Sequence, residues 1–269
     1  MKTLSRIYTV LIFILLYAPM AVMLLFSFNS AESLSSFQGF SLEWYQKLFS
    51  DSGTLNACKN TLILAVLSSV IATVFGTIAA VGIDKYRKGW FRSAVISVTN
   101  IPMMNPEIVT GVSMMLLFVF GASMLGNQNE VLGFPTLLIA HVTFNLPYVI
   151  LSVLPKLRQI DPHLQEAAED LGCTPFRAFF HAVLPTIFPG IMTGLLMAFT
   201  MSLDDFVISY FTAGPKFNTL PIYIYSMTKK RVKPDMYALS TIIFAVILLL
   251  LLAVNLVQMR DDKKNNKKQ

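Results

Sequence analysis

The sequence predicts an all-α protein that crosses a membrane six times, on three observations. Of its 269 residues, 55% are hydrophobic and only 13% charged, whereas a globular domain carries about 25% charged residues. Six apolar runs each reach about 20 residues or more, the length a helix needs to cross a hydrocarbon core of roughly 30 Å. The basic residues fall between these runs and do not line one face, so the net charge of +6 is no sign of a nucleic-acid binder. The same facts argue against a secreted disulfide scaffold, a disordered chain or an ordinary cytosolic enzyme. Cys58 and Cys173 are too few and too far apart for a disulfide framework or a metal site.

The first run, Ile7 to Phe28, follows Lys2 and Arg6 as a signal peptide does. Its length and the lack of a small-x-small cleavage site make it a retained span. The second runs from Thr61 to Ile83. The third, Ser93 to Phe120, contains Glu107, the only Asp, Glu, Lys or Arg in any run, just after Pro102 and Pro106. Those prolines predict a kinked helix with freed carbonyls. Val131 to Leu154, Leu184 to Leu203 and Tyr237 to Met259 complete the set. Residues 1–260 then make a single transmembrane domain, and 261–269 a basic, solvated, disordered tail able to touch anionic headgroups.

Orientation follows from Lys and Arg in the loops. With both termini in the cytoplasm, the inner segments hold Lys2 and Arg6, then Lys85, Arg87, Lys88 and Arg92, then Lys156, Arg158 and Arg177, and five in the tail. The outer loops hold seven, five of them from Lys216 to Lys233. A seven-span rival threads Phe206 to Met227, and the charge rule barely separates the two. Lys216, Gly214-Pro215, Asn218 and Pro221 make that extra span too polar and broken to face lipid, so six spans are predicted.

The segment between the fourth and fifth spans, Asp161 to Pro185, is no simple linker. Asp161-Pro162 reads as an N-cap followed by proline at the first helical position. Leu164, Ala167, Ala168 and Leu171 recur at helical spacing, and Gly172 stops the helix. Thr174-Pro175 starts again, and Phe176, Phe179, Phe180 and Val183 repeat the spacing. Two short amphipathic helices at an angle are expected. Lying on the membrane surface suits the phenylalanine helix. It suits the first badly, because its acids would face anionic headgroups; small residues beside an acid suit close approach into a groove on another protein.

Glu166-Ala167-Ala168, three residues, Gly172, nine residues and Ala-Val-Leu-Pro ending at Pro185 resemble the EAA loop of the permease subunits of ATP-binding-cassette importers. That family prefers isoleucine where Ala182 stands. The resemblance implies the type I importer transmembrane fold, with Glu166, Ala167, Ala168 and Gly172 in a coupling helix gripped by a cytoplasmic ATPase. It also implies a homologous second permease as heterodimeric partner, two ATPase copies and an extracytoplasmic binding protein. The chain would then be a transport subunit and no enzyme, with ATP and Mg bound by the partner. In keeping with this, no G-x-x-x-x-G-K-[ST] occurs anywhere in the sequence.

The acids point to a cargo. A charge near the bilayer centre costs about 2.5–3.5 kcal/mol on insertion scales, so Glu107 needs a reason to be there. Helix rise places it in the outer half of the membrane, and Asp204-Asp205 close the fifth span on that side. Adjacent carboxylates repel each other unless a cation is near. Alternatives stand for each: a neutral, hydrogen-bonded Glu107, a solvated helix end for the aspartates, an interface anchor for Trp44 in the first outer loop. Convergence of all three acids favours a cation path with aromatic faces assisting.

The strings Ser202-Leu203-Asp204-Asp205-Phe206-Val207, Thr212-Ala213-Gly214-Pro215 and Ile224-Tyr225-Ser226-Met227 resemble the second permease subunits of spermidine/putrescine importers. So do Trp44-Tyr45 and Met104-Asn105-Pro106-Glu107-Ile108-Val109, with Glu107 where that family carries aspartate. The likeness spans about Phe26 to Ala245. It implies that Trp44, Glu107, Asp204 and Asp205 line a polyamine route in a bacterial inner membrane; Tyr148, beside Pro147, is a weaker addition, better explained by packing. Two other readings remain. One is a related importer for sulfate, phosphate or iron, although an anion sits poorly beside these acids. The other is an intramembrane enzyme. Against it, there is no H-E-x-x-H, no Cys-His or Ser-His pair shares a predicted depth, and His141 reads as a neutral histidine bonded between helices, while His163 and His181 fall in the loop.

Overall fold

A computed structural model describes residues 2–31, 37–85, 89–126, 131–161, 163–229, 235–246, 248 and 249, and among them every regular element is a helix. The helices are α1 (Lys2–Ser27), α2 (Glu43–Ser50), α3 (Ser52–Lys85), α4 (Trp90–Met104), α5 (Glu107–Met124), α6 (Phe134–Gln159), α7 (Leu164–Asp170), α8 (Pro175–Ala178), α9 (Leu184–Asp204), α10 (Val207–Thr212), α11 (Leu220–Thr228) and α12 (Asp235–Val246). Five stretches are long and apolar enough to cross a membrane: Arg6–Ser27, Ser52–Lys85, Glu107–Met124, Phe134–Gln159 and Pro175–Asp204. The sixth run is represented by α12, and most of its remainder lies outside the described residues, as does the tail.

The chain divides into two compact units, one from residues 1–55 with 224–269, the other from 56–223. In the first, α1 is exposed nearly all round, as lipid-solvated apolar residues require. The loop after it is knitted locally. The Asn29 side chain accepts the Gln38 amide at 2.9 Å, Phe28 stacks on Phe40 at 5.2 Å, and the Ser27 and Tyr45 hydroxyls lie 2.7 Å apart.

The second unit is built on close backbone approach. Gly190, Gly194, Ala198 and Ser202 recur every four residues on α9, and all four are buried. A Cβ on Gly190 would meet Lys156 Cγ at 2.7 Å and the Ser152 carbonyl at 3.0 Å on α6, and one on Gly194 would meet Val149 Cα at 3.2 Å. Gly76 of α3 approaches the same Val149, whose Cγ1 is 2.7 Å from where its Cβ would stand. Small residues let rods pack without the hydrophobic drive that lipid removes. Ala72, Val153, Leu154, Leu157 and Ile187 fill the surrounding core. Gly190→Leu is therefore expected to part α6 from α9 and lower stability by about 1–3 kcal/mol or more. Monodispersity and thermal midpoint of the detergent-solubilised protein check this.

Three expectations change. The third run is not one kinked helix: it breaks at Asn105-Pro106 into α4 and α5. Asn105 is extended (ψ 143°) because the residue before proline avoids the helical region, and bonding restarts from the Pro106 carbonyl to the Val109 amide at 2.9 Å. The phenylalanine helix is not separate from the fifth span. Pro175 to Asp204 is one rod with a π turn at Phe179–Val183, whose wider coil makes room for Pro185, a residue without an amide hydrogen. Finally, His163 stands at the cap of α7, which runs from Leu164, and Asp161 Oδ1 still accepts the His163 amide at 2.9 Å; the expected first helical residue, Pro162, lies outside the described residues. The region from Phe206 to Met227, the rival seventh span, contains the two short helices α10 and α11 instead of one crossing rod.

Candidate functional site

At the loop end of the second unit, α7 presents Glu166 and Ala167 on its exposed side. Its end is closed by a paired motif: the Gly172 amide donates to Glu169 carbonyl at 2.8 Å and the Cys173 amide to Ala168 carbonyl at 3.1 Å. That geometry needs a left-handed residue, and Gly172 has φ +90°. Glu166 Oε2 lies 2.8 Å from His163 Nδ1. Of the predicted apolar stripes, Phe179 and Val183 turn inward onto the core, while Leu171 (88% exposed) and Phe176 (74%) stay on the surface. Glu169, held by Gln165 at 2.8 Å, faces a cavity of about 960 Å³ shared with Asp84, Arg92 and Arg158.

Glu107 opens α5, where the positive end of the helix dipole favours a carboxylate. It lies within electrostatic reach of Tyr148 on α6. A Cβ on Gly111, one turn past Glu107, would meet the Val207 carbonyl at 3.4 Å, so the start of α5 packs close to the segment that follows α9. Tyr148 is half-buried, with its ring 5.6 Å from that of Phe144. Asp204 ends α9 and is exposed. Neither Glu107 nor Asp204 makes an ion pair among the described residues.

Asp205 and Trp44 are placed differently. Trp44, 6% exposed, lies in the first unit, where its indole N–H donates to the Asn29 carbonyl at 2.7 Å and Lys47 Nζ sits 4.5 Å from its ring centroid. Its ring is thus largely enclosed, with one face against Lys47. Asp205 turns into the second unit with its side chain 4% exposed. Its carboxylate accepts the Ile208 and Ser209 amides at 3.2 and 2.8 Å, capping α10, and lies 3.3 Å from His141 Nε2.

His141 is therefore bonded between helices, as expected, but the expectation that no Ser-His pair shares a depth is corrected. His141 Nδ1 is 3.2 Å from Ser202 Oγ, and Nε2 is 3.0 Å from Ser209 Oγ. Asn145 Nδ2 donates to Ser202 Oγ at 2.7 Å, and Ser68 Oγ of α3 is 2.9 Å from it. Ser202 is enclosed by these three side chains and buried, leaving no room for an acyl group, so the string is structural. Its signal lies in the sequence as polar residues at helical spacing in or just past apolar runs: His141 with Asn145, and Ser202, Asp205 and Ser209.

Comparison with known proteins adds the following. Residues 72–264 match a family described as "Binding-protein-dependent transport system inner membrane component". The chain is 37% identical over 257 residues to the spermidine/putrescine transport system permease protein PotC of Escherichia coli K12, covering 95% of this chain and 93% of that one. It is 37% identical over 235 residues to the putrescine transport system permease protein PotI of the same organism, covering 87% and 83%. Among solved structures, it is similar to a chain of a bacterial ABC transporter involved in the import of the acidic polysaccharide alginate, with TM-score 0.75, 19% identity and coverage of 96% and 95%. That last likeness is one of fold.

Proposed function

The chain belongs to the binding-protein-dependent transport system inner membrane component family, and from that premise we propose that it forms half of an ATP-driven path for polyamines of the spermidine/putrescine class. A homologous permease supplies the other half. Two copies of a cytoplasmic ATPase, which bind the ATP and Mg, grip α7, and an extracytoplasmic polyamine-binding protein delivers the cargo. Both termini face the cytoplasm.

The observation that carries the cargo is the pair of broken rods. α4 stops at Met104, inside the third run, and α9 at Asp204, at the end of the fifth, each followed or ended by a carboxylate. A helix C-terminus carries about half a negative charge and unsatisfied carbonyls, so both breaks suit a cation. An extended polycation can pair in succession with Asp204 and Glu107, while the Tyr148 ring offers a π face. Sulfate or phosphate would meet two carboxylates. The names of the relatives support the same class. Asp205 then supports the path from behind, as a buried residue.

Closing of the two ATPases moves α7, and the continuous rod Pro175–Asp204 carries that motion from the cytoplasmic surface toward Asp204. The test is uptake of labelled spermidine by proteoliposomes holding the complete transporter. Unlabelled putrescine should compete and sulfate should not; competition by sulfate, or no spermidine uptake, overturns the reading. Asp204→Asn should raise the half-saturating concentration about ten-fold, because one charge pairing is lost while the maximal rate depends on other steps.

A further inference from the structure

His141, Ser202 and Asp205 are buried and cannot themselves touch a cargo. Their geometry nevertheless decides where a neighbour points. Asp205 leaves α9 in an extended conformation (φ −63°, ψ 119°) and turns its carboxylate inward, which leaves Asp204 outside. Two of its partners, the Ile208 and Ser209 amides, belong to the next turn of the same segment and travel with it. They cap α10 but cannot fix the break against anything else. His141 belongs to α6. Its single imidazole touches Ser202 in the last turn of α9, Asp205 in the break and Ser209 in the first turn of α10. It thus clamps both sides of the interruption to a different rod. Asn145, one turn further along α6, and Ser68 of α3 hold Ser202 in place.

We propose that His141 is a positioning residue for the cation route: by holding Asp205, it keeps the α9–α10 break in the arrangement that presents Asp204 outward. The inference rests on Asp204 being a route residue. Losing the clamp leaves a buried carboxylate with only partners from its own segment, the capping amides and the Ser209 hydroxyl, and the break is then free to turn.

The test uses the complete transporter in proteoliposomes and two polar substitutions. The amide of His141→Gln reaches the position of Nε2 and keeps the contact with Asp205. The shorter amide of His141→Asn reaches only the position of Nδ1 and keeps Ser202 alone. With Cys58 and Cys173 replaced by serine, Asp204→Cys is labelled by a membrane-impermeant maleimide. His141→Gln should leave the labelling rate within about three-fold, and His141→Asn should lower it about ten-fold, the size expected for a buried acceptor losing its partner. In the chain with Asp204 intact, spermidine uptake per transporter should follow the same order, with the change in half-saturation larger than that in maximal rate. With Asp205→Asn added, the difference between Gln and Asn should vanish. Equal behaviour of the two substitutions, or a difference that persists beside Asp205→Asn, overturns the proposal. Labelling needs no cargo, so a wild-type transporter that moves no spermidine sinks the polyamine reading while this one is still decided by the maleimide.

Discussion

Gly172→Val is expected to leave the permease in the membrane and to abolish uptake. Gly172 ends α7 with φ +90°, a conformation that costs most residues about 1–2 kcal/mol and a β-branched one more. A Cβ there would meet nothing within 4 Å, so the effect is one of backbone conformation and not of crowding. Valine undoes the bonds from Gly172 to Glu169 and from Cys173 to Ala168, and the end of α7 reorients. Leu171, exposed beside it, and Phe176, just past the turn, then lose their spacing from Glu166. The part that changes is the surface offered to the ATPase, while the packed rods are untouched. Gly172→Asn is the control, since asparagine tolerates left-handed backbone, and should keep a substantial fraction of uptake. Membrane content, co-purification of the ATPase and uptake read the three consequences separately. Uptake by Gly172→Val equal to wild type would remove α7 from the coupling path.

The number and order of the rods were legible because lipid imposes a simple rule on long apolar runs, and five of the six appear among the long helices or their continuations. Their interruptions were harder. Pro106 signalled a kink, but whether a proline bends or breaks a helix depends on what satisfies the freed carbonyls, which lies in the tertiary structure. Hydrophobicity also hides where a span begins: Phe179 and Val183 look amphipathic in isolation and turn out to continue into the fifth span. In the candidate site, carboxylates were found by their cost in lipid, yet cost alone does not say which way they face. Asp204 and Asp205 are adjacent and identical, and only the helix break and the imidazole across from it send one outward and the other inward. Trp44 shows the same limit, since the side chain that suggests a cation contact is enclosed by its own loop. The Gly190-Gly194-Ala198-Ser202 stripe, by contrast, was open to inspection at four-residue spacing, and it fixes which face of α9 meets α6.

Glu107→Lys should reduce spermidine uptake by on the order of a hundred-fold, the largest effect expected of any single change in the path. Three contributions act in the same direction. The substitution removes the carboxylate within electrostatic reach of Tyr148, in an apolar run where water screens least. It puts a cation where the cargo must pass. It also sets a positive charge on the first residue of α5, against the helix dipole that favoured the glutamate. Glu107→Asp keeps the charge on a shorter arm and should retain most of the uptake, and Glu107→Gln should fall between. The series therefore separates charge from reach. ATPase co-purification ought to be unchanged throughout, because Glu107 lies on α5 and the ATPase-facing residues on α7. Wild-type uptake by Glu107→Lys would mean that no polycation passes this level. The break at Asn105-Pro106 would then be a hinge in the rod and not a station for cargo.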